Sequence, residues 1–295
     1  MSVDNFKPTL WEGALIANFH SVSIANVLAT APTDIKGNKV IFNRIAGGTL
    51  KDYTGAVDWD EINTEPVEML FDKKKYFAFA LDDVDKVQLR SDVMTATTKE
   101  HAAVLAETYD KDFFIALEAG TKIKIGSSSS KKKVTPASAY EYIVDMGTEL
   151  SKKKVPKANR FVTVNAEYLG LLSKDKRFTA NPKVLENGVV EGQTINGMQV
   201  MCSEELPKNV ILANHKSAIG AAKQLEEMEA MRLQSKFADG VRGLCVYGDK
   251  VLREDASVAL YYEIGTSADD APVSVVISNT DKNPVHTKEV AGAGA

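Results

Sequence analysis

The side chains able to do covalent or metal chemistry in this sequence are few and far apart. His20, His101, His215 and His286 are widely separated, and His101, inside a helical pattern, has no second histidine one turn away to share a zinc ion. Cys202 and Cys245 stand in separate apolar stretches without a partner at metal-ligand spacing, which predicts buried, reduced thiols and no disulfide scaffold. A nucleophile elbow needs Gly-x-Ser-x-Gly, but Gly126-Ser127-Ser128-Ser129-Ser130 runs into Lys131-Lys132-Lys133 instead. No glycine-rich loop ends in Lys-Ser or Lys-Thr, and no Gly-x-Gly-x-x-Gly follows a strand, so no nucleotide site is expected. The acidic pairs Asp82-Asp83, Glu204-Glu205 and Asp269-Asp270 could exchange protons only in a dry cleft; such pairs more often cap helices or face water. The expectation is no catalytic residue, no metal, no cofactor and no enzyme activity.

With chemistry sparse, the elements themselves carry the information. Val40-Ile41-Phe42-Asn43-Arg44-Ile45 reads as a strand, Ala46-Gly47-Gly48-Thr49 as a glycine turn, and Val67 to Phe71 with Tyr76 to Leu81 as the return. Residues 37–81 are thus expected to form one long two-stranded arm. An isolated hairpin is marginally stable in water, so an arm carrying Phe42, Trp59, Phe71, Phe77 and Phe79 needs a surface to lie on. We expect that surface on a neighbouring subunit, with Phe42, Arg44, Gly47, Gly48, Lys51, Asp52, Tyr53, Trp59, Phe71 and Phe77 as the contact residues.

Ahead of the arm, residues 1–31 suggest a short amphipathic helix through Leu10, Ala14 and Ala17, stopped by Pro32. After it, Asp82-Asp83 is expected to cap a long helix from about Val84, with Val87, Met94, Ala102, Leu105, Tyr109, Phe113 and Leu117 as one buried stripe. Continuous to Ala119, that helix would be roughly 50 Å long. The serine and lysine run at 126–133 reads as a flexible surface loop, its lysines solvated or, less commonly, touching nucleic acid or a partner. Thr135-Pro136 opens a helix with Ala139, Ile143, Met146 and Leu150 inward; Arg160 to Val164 is a strand; and Asn165 caps the helix after it. Asn196-Gly197 marks a tight hairpin, Val210 to Ala213 and Gly243 to Tyr247 are buried strands, and Val273 to Ile277 alternates like a strand. Residues 217–236 are ambiguous, with Glu226-Glu227-Met228-Glu229 favouring helix locally.

Composition sets further bounds. With 36 Lys and Arg against 40 Asp and Glu, the net charge of -4 gives no excess positive field, which argues against a genome-condensing protein. No secretory start or span of apolar residues long enough for a membrane is present, so the expected site of synthesis is the cytosol, with no membrane partner.

The order of arm, glycine-tipped hairpin, acidic helix start, spine helix and mixed α/β region resembles the major capsid protein of tailed bacteriophages, the Hong Kong 97-type shell fold. Arg160 to Tyr168, Gly192 to Pro207 with its Ser203-Glu204-Glu205-Leu206-Pro207 ending, and Phe237 to Gly243 followed by Tyr247 to Val251 are similar to that family's later segments. The resemblance implies an α+β Hong Kong 97-like fold divided into an N-terminal arm (1–36), an extended β-hairpin loop (37–81), a peripheral domain with the spine helix (82–134), an axial domain (135–235) and a return to the peripheral domain with a C-terminal tail (236–295). It further implies a head protein, assembled in the host cytoplasm and residing in the virion. Its partners would be itself, in the pentamers and hexamers of an icosahedral shell, a separate scaffolding protein and portal, and packaged double-stranded DNA, contacted weakly and without sequence specificity. Some members join subunits through a Lys to Asn isopeptide bond; Lys51 invites the comparison, but no partner Asn or Glu matches, so no bond is expected. The alternatives are an encapsulin-type cargo shell, a tail-tube or decoration protein, and a soluble enzyme with an unrecognised site.

Overall fold

Three β-sheets and one long helix organise the computed structural model, which describes residues 23–32, 34–36, 39–45, 52, 55, 64–82, 92–175, 177, 193–233 and 238–266. The chain enters through a short helix α1 (Ala25–Leu28) and forms a ribbon from β1 (Asp34–Lys36), β2 (Lys39–Ile45) and β3 (Thr64–Leu70) in the order β1-β2-β3. Next come β4 (Lys73–Asp82) and the spine helix α2 (Asp92–Gly120). Two short strands, β5 (Ile123–Ile125) and β6 (Lys132–Val134), precede helix α3 (Ala139–Lys152), strand β7 (Arg160–Val164) and helix α4 (Ala166–Lys174). The remainder is β8 (Thr194–Ile195), β9 (Met198–Cys202), β10 (Val210–His215), β11 (Ile219–Arg232), β12 (Ala238–Val251) and β13 (Ser257–Ile264). The large sheet runs β5-β13-β10-β7-β9-β8, with β6 also on β13, and the long sheet runs β11-β12-β4.

Local signals place several elements as expected. Ala139, Ile143, Met146 and Leu150 are all fully buried, and spacings of three and four put them on one side of α3. The Asn165 side chain accepts from the Tyr168 N–H and caps α4. Asn196 and Gly197 both have positive φ, 47° and 80°, which is the backbone a two-residue turn needs to join β8 to β9. Every residue of β7 is buried, because helices cover one face of the large sheet and the spine helix the other.

Other expectations change. The ribbon closes at Leu70, and β4 leaves it to pair with β12 from Tyr247 to Ala238, so residues 73–81 are not part of the arm. Asp82 ends β4 opposite Ala238 instead of capping the spine helix, whose first described residue is Asp92. Thr135 and Ser138 exchange hydrogen bonds ahead of α3, which starts at Ala139. Residues 219–232, ambiguous with a local lean to helix, are a strand: pairing with β12 along its whole length overrides the glutamates' propensity, with a bulge between Leu225 and Glu227 absorbing the mismatch. The serine and lysine run is also held in place. Ser127 and Ser130 bond each other's backbone N–H and C=O, and Lys132–Val134 pairs with β13.

The boundaries inferred from the resemblance shift as well. β11 belongs to the long sheet beside the spine helix, and β13 lies within the large sheet, although both were expected on the other side of a division near residue 235. Three buried clusters follow these layers: one between the spine helix and both sheets, one between the large sheet and α3 and α4, and a small one where the ribbon meets the long sheet. Leu10, Ala14 and Ala17, the face of the amphipathic helix expected within residues 1–31, and the strand at 273–277 lie outside the described residues.

Candidate functional site

The features most able to act are the two extensions that meet the long sheet. The ribbon rests on it through Val40, Phe42, Met69 and Phe71, which pack on Ala222 and Val246. Phe42 fits because Gly220 has no side chain: a Cβ there would lie 2.4 Å from the ring. Phe77 meets Gly243 the same way, also at 2.4 Å. Phe77 and Phe79 turn toward the spine helix and stack on His101 at 5.7 and 4.7 Å.

Of the residues expected to touch a neighbour, Phe42, Phe71 and Phe77 are therefore buried by their own chain. The correction has a simple cause: the base of the arm lies on this subunit's own sheet, and burying each ring there contributes ~2 kcal/mol without a partner. Arg44 lies in β2, and Asp52 is exposed. Gly47, Gly48, Lys51, Tyr53 and Trp59 lie outside the described residues. On the spine helix, Ala102, Leu105, Tyr109, Phe113 and Leu117 are buried. Val87 and the Met94 side chain lie outside the described residues.

The second extension is the segment Ser23–Thr30. The carboxylate of Asp110, buried on the spine helix, accepts from Ser23 Oγ at 2.6 Å, from Ile24 N–H at 2.9 Å and from Ala25 N–H at 3.2 Å. Asn214 donates to the Leu28 carbonyl, and Thr30 forms a bridge to β11 around Gly220. Burial raises the Asp110 pKa, while these three donors and the cation of Lys223 pull it back. Burial in turn pushes Lys223 down to about 8, opposed by Cys245 and Asp110, and its Nζ sits 5.3 Å over the Tyr109 ring. Nearby, the Tyr247 hydroxyl donates to Asp112 and Lys73 pairs with Asp249, both at 2.7 Å. Polar contacts thus key the spine helix to the long sheet.

The large sheet has its own anchors. Arg160, 2% exposed, donates to the carbonyls of Gly147, Val155 and Pro156 and to Ser151 Oγ, tying β7 to the end of α3. Arg177 grips Asp175, Glu141 and the Ala137 carbonyl and lies over Tyr140. Neither Asp110 nor Arg160 stood out in the sequence. The available signal was a charge placed within a buried stripe or strand, where water cannot solvate it.

The acidic pairs, histidines and cysteines singled out in the sequence have separate places in the fold. Glu204 accepts from the Ala166 N–H at the start of α4, and the Glu205 pKa is raised by burial and by Glu107. His215 bonds Ser217, Cys202 is partly exposed instead of buried, and Cys245 is buried and free. Among the described residues no group of three or more metal-ligating side chains gathers, and no helix is long and apolar enough to cross a membrane. What the surface offers is contact. Tyr76 is 81% exposed on edge strand β4, Leu70 is 54% exposed, and Ala78, Ala80, Met231, Leu233, Gly240 and Arg242 line an open apolar depression on the long sheet.

Residues 66–264, which include the long sheet, the spine helix and the large sheet, match the sequence family described as phage capsid protein. The chain belongs to the phage capsid protein family. Among solved structures, a protein of Mycobacterium phage Che8 is 28% identical, with a TM-score of 0.61 over 76% of this chain and 85% of that one. The capsid of the cyanophage P-SCSP1u is 18% identical at TM-score 0.64, over 82% of this chain and 89% of that one. A virus-like particle from Pyrococcus furiosus shares the fold at 12% identity and TM-score 0.55, over 84% of this chain and 96% of that one. No curated protein matches the sequence. The fold is the α+β Hong Kong 97-like capsid fold, and this capsid protein is a major shell subunit of a virion that assembles with copies of itself. Its role is structural.

Proposed function

We propose that this capsid protein forms the pentamers and hexamers of an icosahedral phage head, and that residues 46–63, between β2 and β3, reach onto an adjacent subunit. The observation that supports this is the division of the arm: its base is fixed by Phe42, Met69 and Phe71, while the rest of the long sheet carries the open apolar depression beside Tyr76. Contacts of a few kcal/mol per subunit gain force when every copy makes them, because closure of a ring converts later contacts into intramolecular ones. In this reading Trp59 and Tyr53 supply the apolar reach, the peripheral part of the subunit is the spine helix with the long sheet, and the axial part is the large sheet with α3 and α4.

The enclosed partner is double-stranded DNA, loaded through a portal into a shell templated by a separate scaffolding protein. A net charge of -4 suits a container that is filled by other machinery. Deleting residues 46–63 tests the arm: the variant is expected to fold with an unchanged circular dichroism spectrum yet remain as unassembled subunits in size-exclusion chromatography and negative-stain microscopy. Closed shells from that deletion would refute the reading. Purified wild-type particles that hold an enzyme instead of DNA would shift it to the cargo-shell alternative.

A further inference from the structure

Lys122, Lys124, Lys131 and Lys132 flank the serine turn on two short strands at one edge of the large sheet. β5 pairs with Val258–Leu260 and β6 with Tyr262–Ile264, so the two legs follow consecutive stretches of one strand, about 20 Å in all. Lys122 and Lys124 lie on or beside the first leg, and Lys131 and Lys132 on or beside the second; all four are exposed. Between them the turn is closed by Ser127 N–H to the Ser130 carbonyl at 2.9 Å and Ser130 N–H to the Ser127 carbonyl at 3.1 Å. The run is therefore held in place, with Lys124 on the face of Ala259 and Lys132 on that of Tyr262, so that the lysines straddle this edge of the sheet.

Its charges lack the partners other lysines have. Lys39, Lys73, Lys152 and Lys153 are each paired with a carboxylate, whereas among the described residues Lys122, Lys124, Lys131 and Lys132 form no ion pair. Of the nearby carboxylates, Glu118 accepts from the Tyr261 hydroxyl, Asp255 pairs with Lys153, Glu263 lies opposite Lys133, and Glu254, whose carbonyl accepts from the Lys122 N–H, is exposed. Lys124 is steadied over the Tyr261 ring at 5.8 Å, which orients the ammonium without neutralising it. Exposed serine hydroxyls beside such cations complete the donor set typical of phosphate-backbone contact.

We propose that Lys122, Lys124, Lys131 and Lys132, with the Ser127–Ser130 turn, form a sequence-independent contact for the phosphate backbone of the enclosed double-stranded DNA. The proposal rests on the shell reading above and gives its DNA contact an address. A local strip of this kind is compatible with the chain's negative net charge, since screening limits each charge to about 8 to 10 Å. Contact through a few phosphates is weak for one subunit and large over a shell.

The test uses the full-length unassembled subunit and a fluorescein-labelled DNA duplex, with binding followed by fluorescence anisotropy from 50 to 200 mM NaCl. Replacing all four lysines by serine is expected to reduce the salt slope, log K against log[salt], by about 3, as lost phosphate contacts release fewer counterions. The four-arginine variant should retain the wild-type slope. Equal slopes for wild type and serine variant would overturn the proposal, as would absence of DNA binding by the wild type. A serine variant that binds DNA normally but no longer assembles would also overturn it, because the lysines would then meet an acidic surface of another copy. Failure of the shell reading is distinguishable, since that appears as wild-type subunits that never close into particles.

Discussion

The ring of Phe42 presses on Gly220, leaving no room for even a methyl group between the arm and the long sheet. Thr30 hydrogen-bonds to Ile219 and Ala221 on either side of the same glycine, so both extensions converge on one point of β11.

Gly220→Ala is therefore expected to destabilise the unassembled subunit by about 1 to 3 kcal/mol, the range for overpacking a close contact. Denaturant midpoints measure it. Phe42→Leu should recover part of the loss, giving a non-additive double mutant; additive effects would mean that the ring and the glycine do not compete for space.

Asp110→Ala should loosen Ser23–Thr30 while the sheets stay folded. Three donors lose their acceptor, so amide hydrogen exchange at Ile24 and Ala25 is expected to accelerate about tenfold or more, with β10 and β13 unchanged. Asp110→Asn, which retains one carbonyl oxygen, should lie between. Unchanged protection in the alanine variant would show that apolar contacts of Ala25 and Leu28 suffice.

Arg160→Leu keeps apolar bulk but leaves three carbonyls at the end of α3 without their donor. The expected cost is about 3 kcal/mol, because unmade hydrogen bonds inside the subunit are not replaced by water. Arg160→Lys should recover only part, since an ammonium cannot span all the acceptors. A leucine variant as stable as wild type would sink this account.

The pair Lys223 and Cys245 predicts a specific pH dependence. Burial holds the Lys223 pKa near 8, below its ordinary 10.5, so its penalty is full below about pH 8 and stability from this group rises as pH increases toward 10.5. Burial pushes Cys245 from 9.0 up to about 11, so its contribution is present below pH 9 and is lost as pH rises through 11. Denaturation of Lys223→Met at pH 7.5, 8.5 and 10 should lack the rise seen in the wild type; the same slope in both would exclude Lys223. At pH 8 a thiol reagent should modify Cys202 well before Cys245.

The sequence was most legible where neighbours along the chain determine the outcome. Asn165 caps three residues downstream, the stripe of α3 repeats every three or four residues, and Asn196-Gly197 makes its own turn. The capsid fold was recognisable because the order of such elements is distinctive. What stayed hidden depends on partners far away in sequence. β11 is a strand because β12 pairs with it, β4 leaves the arm because β12 offers a better ladder, and Phe42 is covered because Gly220 lies under it. The Asp110 clamp joins residues more than eighty positions apart, and no local pattern announces it.

The place of β13 has a consequence for biosynthesis. It lies between β10 on one side and the short strands β5 and β6, all of which emerge from the ribosome earlier and wait for it with open backbone ladders. A polypeptide truncated before Ser257 lacks the strand that joins them. Such a chain is expected to leave one side of β10 and both short strands without a ladder, and so to fail in folding before it could reach a shell.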